Sequence, residues 1–168
     1  MTIDERLFAY RDKVRPEWID YNGHMNVSYY VMAFDYVTDA FLDHIGALHT
    51  YRERLGQTFF CLEMHVTYER EVVAGDPLRF ATQVIGLDAK RLHLFHAMYH
   101  DTEGYLAATN DIMLINVDFA TRRSSPIASP VRARLDEVWA THKDVAAPPQ
   151  VSRRLGLASG RPGAPSAA

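Results

Sequence analysis

Apolar residues in the segment 27–45 recur at every third or fourth position and form one continuous stripe. The members of this stripe are Val27, Tyr30, Val31, Phe34, Val37, Phe41 and Ile45. This spacing is typical of an amphipathic helix with one buried face. Asn26 or Ser28 can cap its start, and Gly46 stands where a helix commonly ends in a left-handed residue. The pattern predicts one long helix here and a second, shorter helix over 48–54.

After residue 56 the hydrophobic period changes from 3.6 to 2, which is the period of a β-strand. Strict alternation puts Phe60, Leu62, Met64, Val66 and Tyr68 on one face, and Phe59, Cys61, Glu63, His65 and Thr67 on the other. We expect Cys61 to be buried and unreactive in this apolar stretch. Further strands are predicted over 7–15, 78–87, 91–100 and 105–119, because turn residues separate these runs.

The predicted order of elements is a strand, a long helix and four long strands joined by tight turns. Short turns favour antiparallel neighbours, and the separation of helix from strands indicates an α+β protein. A helix of about 20 residues and a strand of about 10 residues both span roughly 30 Å, so one sheet can cover the whole helix. A last short helix is predicted over 131–143. We expect residues 1–144 to form one domain, and the Pro-, Gly-, Ala- and Ser-rich segment 145–168 to be a flexible C-terminal tail.

Composition narrows the classes of partner. The formal net charge of the 168 residues is -3, which gives no field to attract nucleic acid or an anionic membrane. No apolar run is long enough to span a membrane, and the first residues lack the pattern of a secretory signal. We therefore expect a cytoplasmic protein without nucleic-acid or membrane partners. Zinc-ligand spacings and glycine-rich nucleotide loops are absent from the sequence, so we expect neither a metal nor a cofactor.

Candidate chemistry is concentrated in the segment 18–26, directly before the long helix. Asp20 lies in a loop beside the helix N-terminus, whose free N–H groups and dipole can stabilise an oxyanion. Gly23 permits close approach of another backbone. A carboxylate and an oxyanion site suffice for hydrolysis of an activated acyl group. The residues alone equally permit a capping role for Asp20 and Asn26, and a surface role for His24.

The run Asp20-Tyr-Asn-Gly-His-Met-Asn26 resembles the Asp-x-x-Gly-His-x-Asn signature of hotdog thioesterases of the 4-hydroxybenzoyl-CoA thioesterase type. The similarity continues over 68–78 and 107–118. It implies the hotdog fold, one antiparallel sheet wrapped around one long helix, and a homodimer or homotetramer that hydrolyses a small acyl-CoA. It also implies a catalytic set of Asp20, as nucleophile or general base, with Gly23, His24 and Asn26. The family often has a second Asp two positions earlier, where this chain has Trp18.

A finer resemblance concerns the substrate, since the run 18–35 is similar to betainyl-CoA thioesterases of carnitine degradation. Aromatic rings are the usual hosts of a quaternary ammonium group. The expected substrate-binding residues are Trp18, Tyr21, Tyr29, Tyr30, Glu63, His65 and Thr67, with Glu63 or Thr67 coming from a second subunit. Tyr30 also belongs to the helix stripe, so a core role is equally open to it. The candidate partners of the CoA phosphates are Arg70, Arg91, Arg122 and Arg123.

Two other functions remain compatible with the sequence. One is a hotdog module that binds acyl-CoA without hydrolysing it. Sensors of that kind would carry an added basic helical domain, which this sequence does not show. The other is a hotdog enoyl-CoA hydratase, which would use a pair such as His24 and Asp20 as acid and base.

Overall fold

The computed structural model describes residues 3–152 and confirms the predicted order of helices and strands. The strands are β1 (Phe8–Lys13), β2 (Gln57–Tyr68), β3 (Pro77–Leu87), β4 (Arg91–His100), β5 (Leu106–Asp118) and β6 (Arg123–Ser124). The helices are α1 (Val27–His44), α2 (His49–Leu55) and α3 (Ser129–His142), and a 3-10 turn covers Pro16–Trp18. The predicted tail beyond residue 152 lies outside the described residues.

The strands form one antiparallel sheet in the order β1-β3-β4-β5-β2, with the short β6 added to β5. The sheet curls around α1, and this confirms the predicted α+β hotdog architecture. Phe34 and Phe41, both on the predicted stripe, are fully buried between α1 and the sheet. Each such side chain contributes about 1.5–3 kcal/mol on burial. Val27, the first residue of the stripe and of α1, is exposed.

A β-bulge interrupts β2 between Cys61 and Glu63, where its register against β5 shifts. Phe59 and Cys61 before the bulge, and Met64 after it, line one pocket against α1. The strict alternation predicted for β2 is therefore wrong across this point, because the extra residue reverses the two faces. The predicted burial of Cys61 is also wrong: its side chain is exposed, since β2 lies at the edge of the sheet.

The two edges of the sheet differ in length and in chemistry. β1 has six residues and exposes Arg11 and Lys13, and charged side chains of this kind discourage pairing with another strand. β2 has twelve residues. Four of its large hydrophobic side chains are exposed by 40–56%, namely Phe60, Leu62, Met64 and Tyr68. A long, apolar and unpaired edge is a surface that favours pairing with another strand.

The segment 143–152 follows α3 across the face of the sheet opposite α1. Gln83 Nε2 donates a hydrogen bond to the Val145 carbonyl at 3.0 Å, and the Ser152 backbone N–H donates one to Asp111 at 2.6 Å. The described part of the predicted tail is thus hydrogen-bonded to the sheet. No helix within residues 3–152 is both long and apolar enough to cross a membrane.

Candidate active site

The loop between the 3-10 turn and α1 is held at both ends by backbone hydrogen bonds. Ile19 and Met25 form an antiparallel bridge, and the Asn26 N–H donates to the Trp18 carbonyl at 2.9 Å. The tip of the loop is a turn in which the Gly23 N–H donates to the Asp20 carbonyl at 3.0 Å. Gly23 has φ +85°, a left-handed conformation that a residue with a Cβ adopts only under strain. The turn therefore depends on glycine at this position.

The carboxylate of Asp20 is oriented by two donors. Its Oδ1 accepts from the Asn22 backbone N–H at 2.8 Å, and its Oδ2 accepts from Asn26 Nδ2 at 3.3 Å. The Oδ1 of Asn26 meanwhile caps α1, accepting from the Ser28 backbone N–H at 3.0 Å and from the Ser28 hydroxyl. Asn26 thus performs the capping role and also positions Asp20. Each oxygen of Asp20 retains a free lone pair for chemistry.

Asp20 lines a pocket of about 480 Å³ between the loop, the start of α1 and the segment that follows β2. The pocket is lined by Asp20, Tyr21, His24, Met25, Asn26, Val27, Tyr30, Tyr68, Glu69, Arg70 and Glu71. The backbone N–H of Val27, at the first position of α1, has no hydrogen-bond acceptor within residues 3–152. It lies at the positive end of the helix dipole, so this edge of the pocket suits a developing negative charge.

Three tyrosines surround the pocket. Tyr21 is 96% exposed at the tip of the loop, whereas Tyr30 is buried in α1. The ring of Tyr68 packs edge-to-face on Tyr30, with the ring centroids 5.2 Å apart. Burial raises the pKa of Tyr30 to about 12, so its hydroxyl stays neutral. The sequence analysis did not select Tyr68. Tyr68 shares with Met64 and Val66 the face of β2 towards α1, and alternation alone already groups these three residues on one face.

Trp18 and Tyr29 were predicted to contact substrate, but the structure does not bring them into the pocket. Trp18 is only 1% exposed and stacks on Tyr29 with the centroids 5.9 Å apart. The guanidinium of Arg15 lies 4.7 Å from the centroid of the Trp18 ring. The cation–π partner of Trp18 is therefore a side chain of the protein itself, and the ring is buried beneath the loop that carries Asp20.

Glu63, His65 and Thr67 also lie away from Asp20, on the opposite face of the sheet. Thr67 Oγ1 is 2.6 Å from Thr109 Oγ1, and His65 pairs in register with Asp111, to which the segment 143–152 is bonded.

His24 lines the pocket, but its Nδ1 lies 3.5 Å from the Met25 carbonyl, and no hydrogen bond joins its ring to Asp20 among the described residues. This arrangement lacks the His–Asp pair that a hydratase would use. Arg70 lines the pocket as well, with its guanidinium 3.8 Å from the Tyr105 centroid and 3.5 Å from Glu103.

Comparison with known proteins shows which family this sequence is similar to. A sequence model of the Thioesterase-like superfamily matches residues 14–135. A betainyl-CoA thioesterase of Pseudomonas aeruginosa is 38% identical over 92% of this chain and 98% of its own length. An L-carnitine dehydrogenase/betainyl-CoA thioesterase of Rhizobium meliloti is 32% identical over 86% of this chain, which corresponds to 29% of that larger protein.

Solved structures show the same fold. A Staphylococcus aureus protein determined in complex with CoA superimposes with a TM-score of 0.86, at 29% identity, over 94% of this chain and 99% of its own. A 1,4-dihydroxy-2-naphthoyl-CoA thioesterase from Synechocystis, at 13% identity, superimposes with a TM-score of 0.70 over 77% and 96% of the two chains. The chain therefore belongs to the Thioesterase-like superfamily and is an acyl-CoA thioesterase with the hotdog fold.

Proposed function

We propose that this enzyme hydrolyses betainyl-CoA to betaine and CoA, with Asp20 as the catalytic carboxylate. The observation that supports this role is the placement of Asp20, oriented by Asn22 and Asn26, in a pocket beside the Val27 N–H at the start of α1. In the proposed complex the thioester carbonyl oxygen accepts a hydrogen bond from the Val27 N–H. An oriented donor of this kind lowers the barrier to acyl transfer by roughly 3 kcal/mol.

Asp20 can act on the carbonyl carbon in two ways. As a nucleophile it forms a mixed anhydride and expels the CoA thiolate, and water then cleaves the anhydride. As a general base it takes a proton from a water molecule that attacks the carbonyl directly. Both routes pass through an oxyanion at the start of α1, and a positioned general base contributes about 10²- to 10⁴-fold. Asn26 is the positioning residue in both.

The pocket chemistry supports a cationic acyl group. The rings of Tyr21, Tyr30 and Tyr68 offer aromatic faces, and Glu69 and Glu71 add negative charge at the same wall. A quaternary ammonium group is attracted both by aromatic faces and by nearby carboxylates. The similarity to betainyl-CoA thioesterases supports the same substrate independently.

The proposed assembly is a homodimer formed through the β2 edge. The exposed Phe60 and Leu62 on this strand would be covered by the second copy, and the unpaired backbone groups of β2 would gain partners. A two-fold axis makes such a pair of strands antiparallel, as self-complementary interfaces require. Size measurement in solution tests this, because a monomer at micromolar concentration would exclude it.

Release of CoA from a panel of esters tests the substrate. The matched pair is betainyl-CoA and 3,3-dimethylbutyryl-CoA, in which a carbon atom replaces the positively charged nitrogen without changing shape. We expect a higher kcat/KM for betainyl-CoA, and a loss of about 10³-fold in Asp20→Ala. Equal turnover of the two esters would contradict the cation site while leaving the mechanism intact. Undiminished activity in Asp20→Ala would contradict the mechanism.

A further inference from the structure

Arg70 stands between two acids in the sequence, yet it forms an ion pair with neither of them. Glu69, Arg70 and Glu71 all line the pocket of the candidate active site. The guanidinium of Arg70 lies instead against the turn between β4 and β5, 3.8 Å from the centroid of the Tyr105 ring and 3.5 Å from Glu103. We call Tyr105 and Glu103 the Arg70 clamp. None of the ion pairs formed within residues 3–152 includes Glu69 or Glu71.

Backbone hydrogen bonds fix the segment that carries Arg70 against the clamp. The N–H groups of Glu69 and Arg70 both donate to the Ala107 carbonyl, at 2.8 and 3.1 Å, which attaches the segment to the start of β5. The Tyr105 hydroxyl donates to the Glu71 carbonyl at 3.0 Å. The ring that holds the guanidinium therefore also holds the main chain of the same segment, so the direction of the Arg70 side chain is set by the fold.

The clamp leaves a negative charge on this wall of the pocket. Burial raises the pKa of Tyr30, and the nearby charge of Glu71 raises it further, so this carboxylate lies close to an aromatic face of the pocket. A guanidinium turned towards Glu71 would cancel its charge and would repel a cation bound beside it. Held against Tyr105, the same guanidinium stays apart from the glutamate.

We infer that the Arg70 clamp sets the charge selectivity of the acyl pocket by holding the Arg70 guanidinium away from the acyl group. This inference rests on the proposed function, because it accounts for a cationic substrate in a pocket that has an arginine in its wall. An aromatic face suits this purpose, since it attracts a guanidinium and stacks on its plane. Tyr105 is absent from the pocket lining and is a positioning residue that acts through Arg70.

Three CoA esters that differ in the charge of the acyl group test the clamp. Betainyl-CoA carries a cation, 3,3-dimethylbutyryl-CoA is its neutral counterpart, and succinyl-CoA carries an anion. Tyr105→Leu removes the aromatic face that holds Arg70. For this variant we expect kcat/KM for betainyl-CoA, relative to the neutral ester, to fall about fivefold. The same ratio for succinyl-CoA should rise by a similar factor, because the released guanidinium attracts an anion.

Tyr105→Phe is the matched control, because it keeps the ring and loses only the hydrogen bond to the Glu71 carbonyl. Both ratios should stay at their wild-type values in this variant. Adding Tyr105→Leu to Arg70→Ala should likewise leave the ratios as they are in Arg70→Ala alone, since no guanidinium remains to be released. A change of selectivity that persists without Arg70, or that Tyr105→Phe reproduces, would overturn the inference. An equal loss with all three esters would overturn it too.

Glu103→Gln tests the clamp without altering the packing of the ring. It removes the charge that pairs with Arg70 and keeps the backbone N–H that donates to His100 Nδ1 at 3.1 Å, so the turn should keep its shape. Both ratios should move in the same directions as in Tyr105→Leu but by only about twofold, because an exposed ion pair is weak. Ratios that move in the opposite directions would contradict the clamp.

The neutral and anionic esters separate this inference from the proposed function. A wild-type enzyme that did not prefer betainyl-CoA to its neutral counterpart would contradict the proposed substrate. The ratio of succinyl-CoA to 3,3-dimethylbutyryl-CoA would still rise in Tyr105→Leu if the clamp restrains Arg70. An unchanged ratio of these two esters would refute the clamp by itself.

Discussion

Replacement of Asn26 by aspartate separates the positioning of Asp20, the proposed catalytic carboxylate, from the folding of the helix. Aspartate is as good an N-cap as asparagine and is favoured at the positive end of a helix, so α1 should keep its start. What changes is the contact with Asp20. A donor 3.3 Å from Asp20 Oδ2 becomes a second carboxylate, and Asp20 gains a like charge as its neighbour.

The size of the effect follows from that distance. Two unit charges about 4 Å apart repel by about 1 kcal/mol in water and by about 4 kcal/mol at the effective dielectric of a protein surface. A free energy of about 1.4 kcal/mol corresponds to one pH unit. The repulsion therefore keeps one proton on the two carboxylates up to a pH about one to three units higher than in the wild type. Since the ionised carboxylate is the active form in the proposed mechanism, we expect the acidic limb of the kcat/KM profile to move upward by that amount in Asn26→Asp.

The assay is the loss of thioester absorbance across an acidic-to-alkaline series, with the Tm recorded for each variant. Asn26→Ala is the control, because it removes the cap and the donor without adding charge. It should cost about 1 kcal/mol of stability and lower kcat without a comparable movement of the acidic limb. A profile of Asn26→Asp that superimposes on the wild type, at unchanged Tm, would refute the claim that ionisation of Asp20 controls the rate.

Three further predictions follow from individual side chains. Tyr68→Leu should lower kcat/KM about fivefold for betainyl-CoA, because a half-exposed cation–π contact contributes about 1 kcal/mol. The loss for 3,3-dimethylbutyryl-CoA should be less than about twofold. Equal losses for the two esters would exclude Tyr68 from the cation site. Burial lowers the pKa of His96 to about 3. The unfolded state therefore takes up the proton first, and the free energy of unfolding should fall below about pH 6.5 by up to about 1.4 kcal/mol per pH unit. His96→Gln should show a shallower fall in Tm on acidification, and an unchanged slope would contradict this. Gly23 and Gly104 have φ +85° and +73°, so Gly23→Ala and Gly104→Ala should each lose about 1–2 kcal/mol of stability. Only Gly23→Ala should also lower kcat. An equal kcat in the two variants would show that the loop before α1 tolerates the strain.

The sequence predicts the architecture well because one strong pattern dominates each element. The stripe of α1 has a single period, and Gly46 ends it in the left-handed conformation expected, at φ +74°. The bulge in β2 escapes prediction for a physical reason. Residues 59–62 are Phe-Phe-Cys-Leu, so an extra residue there leaves no mark on the pattern of apolar and polar positions. One unseen residue then exchanges the two faces of everything that follows.

The candidate site was predictable where its residues are consecutive. The motif from Asp20 to Asn26 is local, and the structure joins its two ends by a hydrogen bond. The other residues that line the pocket are brought there by tertiary packing. Trp18 is adjacent to the motif yet buried under Tyr29 and Arg15, whereas Tyr68 is distant in sequence yet lines the pocket. Proximity along the chain therefore favours the wrong aromatic residue.

The confinement of Asp20, Gly23 and Asn26 to one loop has a consequence for how the enzyme can diversify. In the proposed mechanism the chemistry is set by hydrogen bonds inside residues 20–28, while the far wall of the pocket comes from residues 68–71 on a separate segment. Substitutions in the second segment can reshape the acyl-binding wall and leave the carboxylate in place. A library restricted to those four positions would explore new thioester substrates without repeatedly inactivating the catalyst, and recruitment of the fold to new acyl groups in nature could follow the same division.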